Sequence, residues 1–141
     1  MSNEAEKHHV AVLGASPKPA RYANQAVRLL REHGYPVTPL HPRFDEIEGL
    51  PVAHTLEEID RPVDTLSLYV GPTGLEPLHD SIVALRPRRV IFNPGTESPA
   101  LQQRLDAAGI FWQEACTLVL LKTNVFLADV VDGGDSGDPV A

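Results

Sequence analysis

The sequence is poor in cysteine, in positive charge and in long apolar runs, and each shortage excludes a class of protein. A single cysteine, Cys116, among 141 residues excludes a disulfide within the chain and is typical of a reducing compartment. No apolar run approaches the roughly 18 residues needed to cross a bilayer, and residues 1–7 lack the apolar core of a signal peptide. Acidic residues outnumber lysine and arginine by 19 to 12, which disfavours partnership with nucleic acid or an anionic membrane. We therefore expect a soluble cytoplasmic protein.

The acidity lies mostly at the two ends of the chain. Residues 129–141 combine four aspartates with several glycines and have no packing pattern. Without them and without residues 1–7, the remaining body is close to neutral. The length suits one domain. We predict one domain over residues 8–128, with flexible tails at residues 1–7 and 129–141.

Short β-rich runs alternate with helical patterns along this body, which is typical of parallel βαβ units. With right-handed crossovers, this order predicts an α/β protein with an open, mostly parallel, doubly wound sheet in a Rossmann-like three-layer α/β/α fold. A ligand of such a sheet lies outside the carboxyl ends of the strands, where the strand order reverses. The predicted strands lie at residues 9–14, 37–40, 63–70, 89–93 and 110–112, and the main helices at 21–33, 73–85 and 99–108. The apolar stretch at 116–127 suits a strand or a helix, and we favour a closing helix there.

Three helix starts carry a capping signal. The segments Thr55 to Glu58 and Thr73 to Glu76 have the form of a capping box, in which a Thr and a Glu three residues later bond to the helix end. Ser98 followed by Pro99 places a cap residue and a proline at the start of the next helix. We expect helices to begin at these three points.

The loop after the first strand suits phosphate. Gly14 lets the backbone approach a ligand, and the helix that follows offers unpaired amides and a positive dipole end. Ser16 adds a hydroxyl, while Lys18 and Arg21 add positive charge. An ordinary strand-to-helix turn, in which Gly14 serves only the geometry, is the alternative interpretation.

This loop is not the standard dinucleotide fingerprint, because only Gly14 of the Gly-x-Gly-x-x-Gly pattern is present. The second strand is followed by His41, Pro42 and Arg43, whereas an NAD site usually has an acidic residue there. These residues disfavour NAD and suit a ribose with an extra phosphate, as in NADP or coenzyme A. In the alternative interpretation, His41 and Arg43 are solvated surface groups and do not indicate a ligand.

Two further loops follow strands of the predicted sheet. In the segment at residues 70–72, Gly71 removes a side chain where a ligand would pass, although Gly-Pro is also common in plain loops. The loop at residues 93–97 has backbone amides that would line the same crevice, and a plain connecting loop is the alternative interpretation. The candidate binding residues are Gly14, Ala15, Ser16, Pro17, Lys18, Arg21, His41, Pro42, Arg43, Val70, Gly71, Pro72, Asn93, Pro94 and Gly95.

Over residues 8–127 the chain resembles the small stand-alone CoA-binding proteins. This family is similar to the CoA-binding domain of the succinyl-CoA synthetase α-subunit. The resemblance implies coenzyme A across the strand ends, with its pyrophosphate at residues 14–17 and its 3′-phosphate end near residues 41–43. The segments that carry it are Gly14-Ala15-Ser16 with Pro19 and Arg21, Gly34-Tyr35, His41-Pro42, Pro62-Val63-Asp64, Asn93-Pro94-Gly95-Thr96-Glu97 and Ala115-Cys116-Thr117.

The chain departs from this family's pattern at two positions. Many stand-alone members carry an arginine near the position of Gly71, so one expected cation is absent. Members also often have Asn-Pro where this chain has His41-Pro42, which puts the adenosine contacts in doubt.

The sequence favours a binding protein over an enzyme. It has no Gly-x-Ser-x-Gly elbow, and one cysteine with scattered histidines gives no metal-ligand spacing. We expect a protein that binds coenzyme A or an acyl-CoA without catalysis, and its sheet edges are compatible with a homodimer. The alternatives are an NADP-dependent oxidoreductase and an interaction module with a vestigial nucleotide crevice. The histidines interpreted as structural or solvated are His8, His9, His33, His54 and His79.

Overall fold

The computed structural model describes residues 4–128 and 130 of the chain. Five strands form one sheet in which every neighbouring pair is parallel. Two short strands form a separate antiparallel hairpin. In chain order the strands are β1 (Val10–Leu13), β2 (Val37–Leu40), β3 (Glu46–Ile47), β4 (Leu50–Pro51), β5 (Thr65–Leu68), β6 (Arg89–Phe92) and β7 (Phe111–Glu114).

Helices cover both faces of the five-stranded sheet, whose order is β2-β1-β5-β6-β7. The predicted α/β class with a Rossmann-like fold is confirmed. Every residue of the central strands β1, β5 and β6 is buried, as expected of a parallel sheet covered on both sides. The helices are α1 (Tyr22–Glu32), α2 (Pro72–Leu75), α3 (His79–Leu85), α4 (Pro99–Ala108) and α5 (Thr117–Lys122), with 3-10 turns at Ala5–Lys7, Leu56–Glu58 and Glu76–Leu78.

Each face of the sheet has its own apolar core. Val27 and Leu30 of α1 pack with Leu121 of α5 over one face. Residues of α2, α3 and α4, among them Ile82 and Leu105, pack over the other face. These two cores give the three layers, with the sheet in the middle.

Helices begin after Ser98 and Thr55 as expected, but only Ser98 forms a side-chain cap, and the helix expected at Thr73 begins one residue earlier. Ser98 caps α4 as expected, because its Oγ accepts a hydrogen bond of 3.1 Å from the Leu101 amide. Thr55 makes no side-chain cap, and Glu58 instead accepts from the amide of His54 at 2.8 Å. The box expected at Thr73 fails because α2 begins one residue earlier, at a proline that is preorganised for the first helical position.

Two residues from the predicted tails pack against the domain. Ala5, in the first 3-10 turn, is 9% exposed, and Val130 is 4% exposed. Residues 1–3, 129 and 131–141 lie outside the described residues, so the flexible tails stay a prediction. No helix within residues 4–128 is long and apolar enough to cross a membrane.

Candidate functional site

The strand order reverses between β1 and β5. From β1 the chain first adds β2 on one side and then returns to place β5, β6 and β7 on the other. In a sheet of this kind, a crevice opens at the carboxyl ends of the two strands that flank the reversal. Residues 14–21 and 69–72, which follow these strands, therefore flank the crevice of the candidate site.

The loops after β1 and β5 touch at Gly14. This residue has φ +87°, and a Cβ atom added there would lie 2.8 Å from Val70 Cγ2 and 2.9 Å from the Tyr69 carbonyl oxygen. Both the left-handed backbone and the close approach require glycine. A Cβ atom at Gly74 of α2 would lie 2.7 Å from the other methyl of Val70. Val70 is thus wedged between two glycines at the floor of the crevice.

The first amides of the predicted phosphate loop are already used by the protein. The N–H groups of Gly14 and Ala15 both donate to the carbonyl oxygen of Leu40, at 3.2 and 3.1 Å. These bonds tie the loop to the end of β2. Further along, the amides of Asn24 and Gln25 both donate to the Arg21 carbonyl oxygen at 3.0 Å. Ser16 and the first two residues of α1 keep amides that have no partner in the described chain.

Asn24, which the sequence analysis did not single out, braces this loop. It is completely buried, and its Nδ2 donates to the Ser16 carbonyl at 2.9 Å and to Glu48 Oε2 at 3.0 Å. Its Oδ1 accepts from Arg28 Nε at 2.7 Å. In the sequence, Asn24 is recognisable as a polar residue within the apolar stripe of α1.

Glu48 lies at the tip of the β3–β4 hairpin, in a segment for which the sequence predicted no strands. The tip residues Glu48 and Gly49 have φ +52° and +76°, as in the tight turns that suit hairpins. The Glu48 carbonyl also accepts from Arg31 at 2.7 Å. The hairpin is therefore docked on α1, and through Asn24 it supports the loop that begins at Gly14.

Three predicted cations lie on loops at the carboxyl edge of the sheet, and all three are exposed to solvent. Lys18 and Arg21 lie on the loop before α1, and Arg43 follows β2. None of the three side chains forms a hydrogen bond or ion pair with another residue in residues 4–128 or 130. Their charges are therefore available to an anionic ligand.

His41 supplies no charge at neutral pH. Its Nδ1 accepts a hydrogen bond of 3.0 Å from the amide of Arg43, so the proton of the neutral ring is on Nε2. Partial burial lowers the pKa of His41, and the Arg43 guanidinium lowers it further. The ring lies 4.5 Å from that of Phe44 between centroids. Of the predicted pair, only Arg43 contributes positive charge.

Gly71 and Pro72 begin α2 beside the next loop. Gly71 has an ordinary φ of −69°, and a Cβ atom there would lie 3.9 Å from the Gly95 carbonyl oxygen. A side chain would fit at this position, so neither backbone conformation nor local packing requires the glycine. The loops after β5 and β6 approach each other here.

The side chain of Asn93 points into the protein. Asn93 is 1% exposed, and its Nδ2 donates to Ser67 Oγ at 2.9 Å and to the Leu68 carbonyl at 2.8 Å. Its Oδ1 accepts from the amide of Thr117 at 2.8 Å. Asn93 therefore joins β5, β6 and α5, while its neighbours Pro94 and Gly95 form the exposed part of the loop.

Tyr69 and Cys116 follow β5 and β7. Burial raises the pKa of the Tyr69 hydroxyl well above its usual range, so it stays protonated. Cys116 is half-buried and precedes the first residue of α5. Within the described residues, no group of three histidine, cysteine or acidic side chains is placed to hold a metal ion.

The fold and the position of the crevice define a Rossmann-like α/β domain. Residues 8–122 match the model of a family described as the CoA binding domain. The chain belongs to this family, which confirms the predicted resemblance.

The chain is also similar to individual proteins. The chain is 32% identical over 60 residues to protein YneT of Bacillus subtilis (strain 168), a match that spans 43% of this chain and 44% of that relative. A solved structure from Thermus thermophilus, cell-free ID.343, is 31% identical, with a TM-score of 0.79 over 89% of this chain and all of that one.

A larger protein shares the fold. A dinucleotide-forming acetyl-coenzyme A synthetase of Ca. Korarchaeum cryptofilum, solved with phosphate and ADP, has a TM-score of 0.67 and 20% identity. The match covers 82% of this chain and 27% of that enzyme. At this identity the likeness concerns the fold alone.

Proposed function

We propose that this protein binds coenzyme A, free or as an acyl thioester, in the crevice at the carboxyl ends of β1 and β5. One observation supports this placement: the loops that follow β1 and β2 carry Lys18, Arg21 and Arg43, whose exposed side chains have no partner in the described chain. Coenzyme A has a pyrophosphate and a 3′-phosphate, and cations at these points match that charge distribution. Membership of the CoA binding domain family supports the same ligand.

The pyrophosphate lies against the start of α1 in this proposal. Ser16 and the first amides of the helix face it, and Lys18 and Arg21 neutralise its charge. The amides of Gly14 and Ala15 are occupied by Leu40, so these residues contribute close backbone approach rather than hydrogen bonds. Pro17 has no backbone N–H and therefore adds no hydrogen-bond donor to the loop.

The other two segments contact the two ends of the ligand. Arg43, which follows Pro42 at the end of β2, pairs with the 3′-phosphate. The pantetheine arm passes Val70 and Gly71 and then the exposed backbone of residues 94–95. Asn93 acts indirectly, because its side chain holds the ends of β5 and β6 in place.

We propose a binding function without a reaction at this site. Among the described residues, His41 is the histidine in the loops that follow β1, β2 and β5, and one of its ring nitrogens accepts from the Arg43 amide. We also propose a cytoplasmic location, which is supported by the single cysteine in the sequence.

Calorimetric titration with CoA, acetyl-CoA, dephospho-CoA and NADPH tests the proposal. We expect CoA to bind and dephospho-CoA to bind more weakly, because it lacks the phosphate assigned to Arg43. Tight binding of NADPH without binding of CoA would contradict the proposal and favour an NADP-dependent oxidoreductase. No heat with any of the four ligands would favour an interaction module.

A further inference from the structure

An aromatic pair lies at the end of β2, beside the predicted phosphate loop. The rings of His41 and Phe44 are 4.5 Å apart between centroids, with 50° between their planes. Phe44 is 38% exposed, so part of a large apolar ring faces water. Exposed apolar surface of this kind is favourably covered by a flat apolar partner.

The pair is adjacent to the crevice. His41 follows Leu40, whose carbonyl oxygen accepts from the amides of both Gly14 and Ala15. The residue directly before His41 is therefore hydrogen-bonded to the loop after β1. The exposed cation Arg43 lies between the two aromatic residues in the chain.

His41 is held in a defined position. Its Nδ1 accepts from the Arg43 amide at 3.0 Å, and its own amide donates to the Ala53 carbonyl at 3.1 Å. These two hydrogen bonds hold His41, whose ring contacts the ring of Phe44, in a fixed position. A ring supported in this way loses little freedom when a planar group stacks on it.

We propose that Phe44 is the stacking surface for the adenine base of the coenzyme A ligand, and that His41 is its positioning residue. This inference rests on the proposed function and adds the recognition of the purine. A flat apolar ring beside the cation Arg43 matches an adenosine with a phosphate on its ribose. A single exposed ring is too small for a protein interface, which buries about 800 Å² on each partner.

The test compares two exposed phenylalanines at opposite edges of the sheet. Phe111 is 43% exposed at the amino end of β7, far along the strand direction from the crevice, and serves as the matched control for Phe44. The variants are Phe44→Ala, Phe44→Tyr and Phe111→Ala, and thermal unfolding shows whether each one folds as the wild type does. Each is titrated with CoA, with adenosine 3′,5′-bisphosphate and with 4′-phosphopantetheine, which lacks the adenosine.

Phe44→Ala is expected to weaken the binding of CoA and of adenosine 3′,5′-bisphosphate about tenfold, the typical loss for one base–aromatic stack. Its affinity for 4′-phosphopantetheine stays that of the wild type. Phe44→Tyr keeps an aromatic ring and is expected to bind all three ligands like the wild type. Phe111→Ala is expected to leave the three affinities unchanged.

Two results would overturn the inference while the proposed function stands. One is a Phe44→Ala variant that binds CoA as tightly as the wild type. The other is an equal loss of CoA and 4′-phosphopantetheine, since that would indicate a general disturbance of the site. If the wild type binds no CoA, the proposed function fails; the stacking surface is then still supported if adenosine 3′,5′-bisphosphate binds and Phe44→Ala weakens it, and overturned if not.

Discussion

At the amino edge of the sheet, buried polar side chains bond to neighbouring groups of the protein, whereas three cations in the loops at the carboxyl edge, Lys18, Arg21 and Arg43, face solvent. At the amino edge, His9 is 1% exposed, and its two ring nitrogens contact the Pro62 carbonyl and Thr38 Oγ1 at 2.8 and 2.7 Å. At the carboxyl edge, Lys18 and Arg21 have no such partners in the described chain. The amino edge thus stabilises the fold, and the unpartnered cations of the carboxyl edge are consistent with the proposed ligand site.

Arg89 is the clearest example of the stabilising edge. It is completely buried at the start of β6, and its Nε and Nη1 donate to Thr65 Oγ1 and Gln113 Oε1 at 3.1 and 3.0 Å. Its guanidinium also lies 4.4 Å from the centre of the Phe126 ring. A buried charge is tolerated because these contacts replace its hydration.

The largest expected effect comes from Arg89→Ala. The variant leaves a cavity and deprives Thr65 and Gln113 of a donor, so the free energy of unfolding should fall by about 3–5 kcal/mol. Urea denaturation measures this loss. The neighbouring Arg88, which is half exposed and pairs with Asp64 at 3.3 Å, is the control, and Arg88→Ala should cost under about 1 kcal/mol. An equal loss of unfolding free energy in both variants would show that the buried arginine stabilises the fold no more than the exposed one does.

Acid should weaken the amino edge through His8. Burial lowers the pKa of His8 from 6.5 to about 4, and its Nε2 lies 2.8 Å from Thr65 Oγ1. Between these two pH values the unfolded chain binds a proton that the folded protein does not. The free energy of unfolding therefore falls as the pH drops from 6.5 to 4, by about 3 kcal/mol in total.

Denaturation of the wild type and of His8→Gln at a series of pH values checks this contribution. We expect a shallower decline with acid in the variant, because it lacks the titrating ring. Parallel curves for the two proteins would show that other groups cause the acid sensitivity.

At the carboxyl edge, Arg21→Ala should change binding and leave stability alone. Loss of one charge-assisted phosphate bond weakens CoA by roughly 1–3 kcal/mol, and an exposed side chain contributes little to folding. Calorimetry and thermal unfolding measure the two quantities. Arg61→Ala, at an exposed arginine before β5, is the control and should leave CoA affinity unchanged. Unaltered binding by Arg21→Ala would remove Arg21 from the site.

The smallest expected effect links the hairpin to the site. Glu48→Ala removes the acceptor of one Asn24 hydrogen bond and should weaken CoA by about 1 kcal/mol, because Asn24 then holds the Ser16 carbonyl less firmly. Glu48→Gln keeps an acceptor and should bind like the wild type. The exposed hairpin residue Glu46 is the control, since Glu46→Ala touches neither Asn24 nor the loop. Equal affinities for all three variants would show that the hairpin does not affect CoA binding.

Much of the fold was predictable because its signals are local. The apolar runs of β1, β5 and β6 are short and appear as strands without reference to the rest of the chain. Ser98, Pro99 and Gly109 frame α4 within a dozen positions, and the cap forms as expected. At Thr55 a short 3-10 helix begins as expected but without the side-chain cap, and at Thr73 the helix begins one residue earlier, at Pro72.

The candidate site was predictable only in outline, because its contacts join distant positions. The Asn24–Glu48 bond spans 24 residues, as does the bond from the Thr117 amide to Asn93. Periodicity and motif spacing contain no information on such pairs. The buried orientation of Asn93 and the bracing role of Asn24 therefore emerge only in the folded chain.

The sequence by itself determined the α/β order and the placement of Lys18, Arg21 and Arg43 after strands, since parallel strands bring their carboxyl ends to one edge. The tertiary structure decided which groups at that edge remain available. The Leu40 carbonyl accepts from the amides of Gly14 and Ala15, and partial burial together with the Arg43 guanidinium lowers the pKa of His41. Hydrogen-bond partners depend on distances of about 3 Å between elements, and only the packed chain defines those distances.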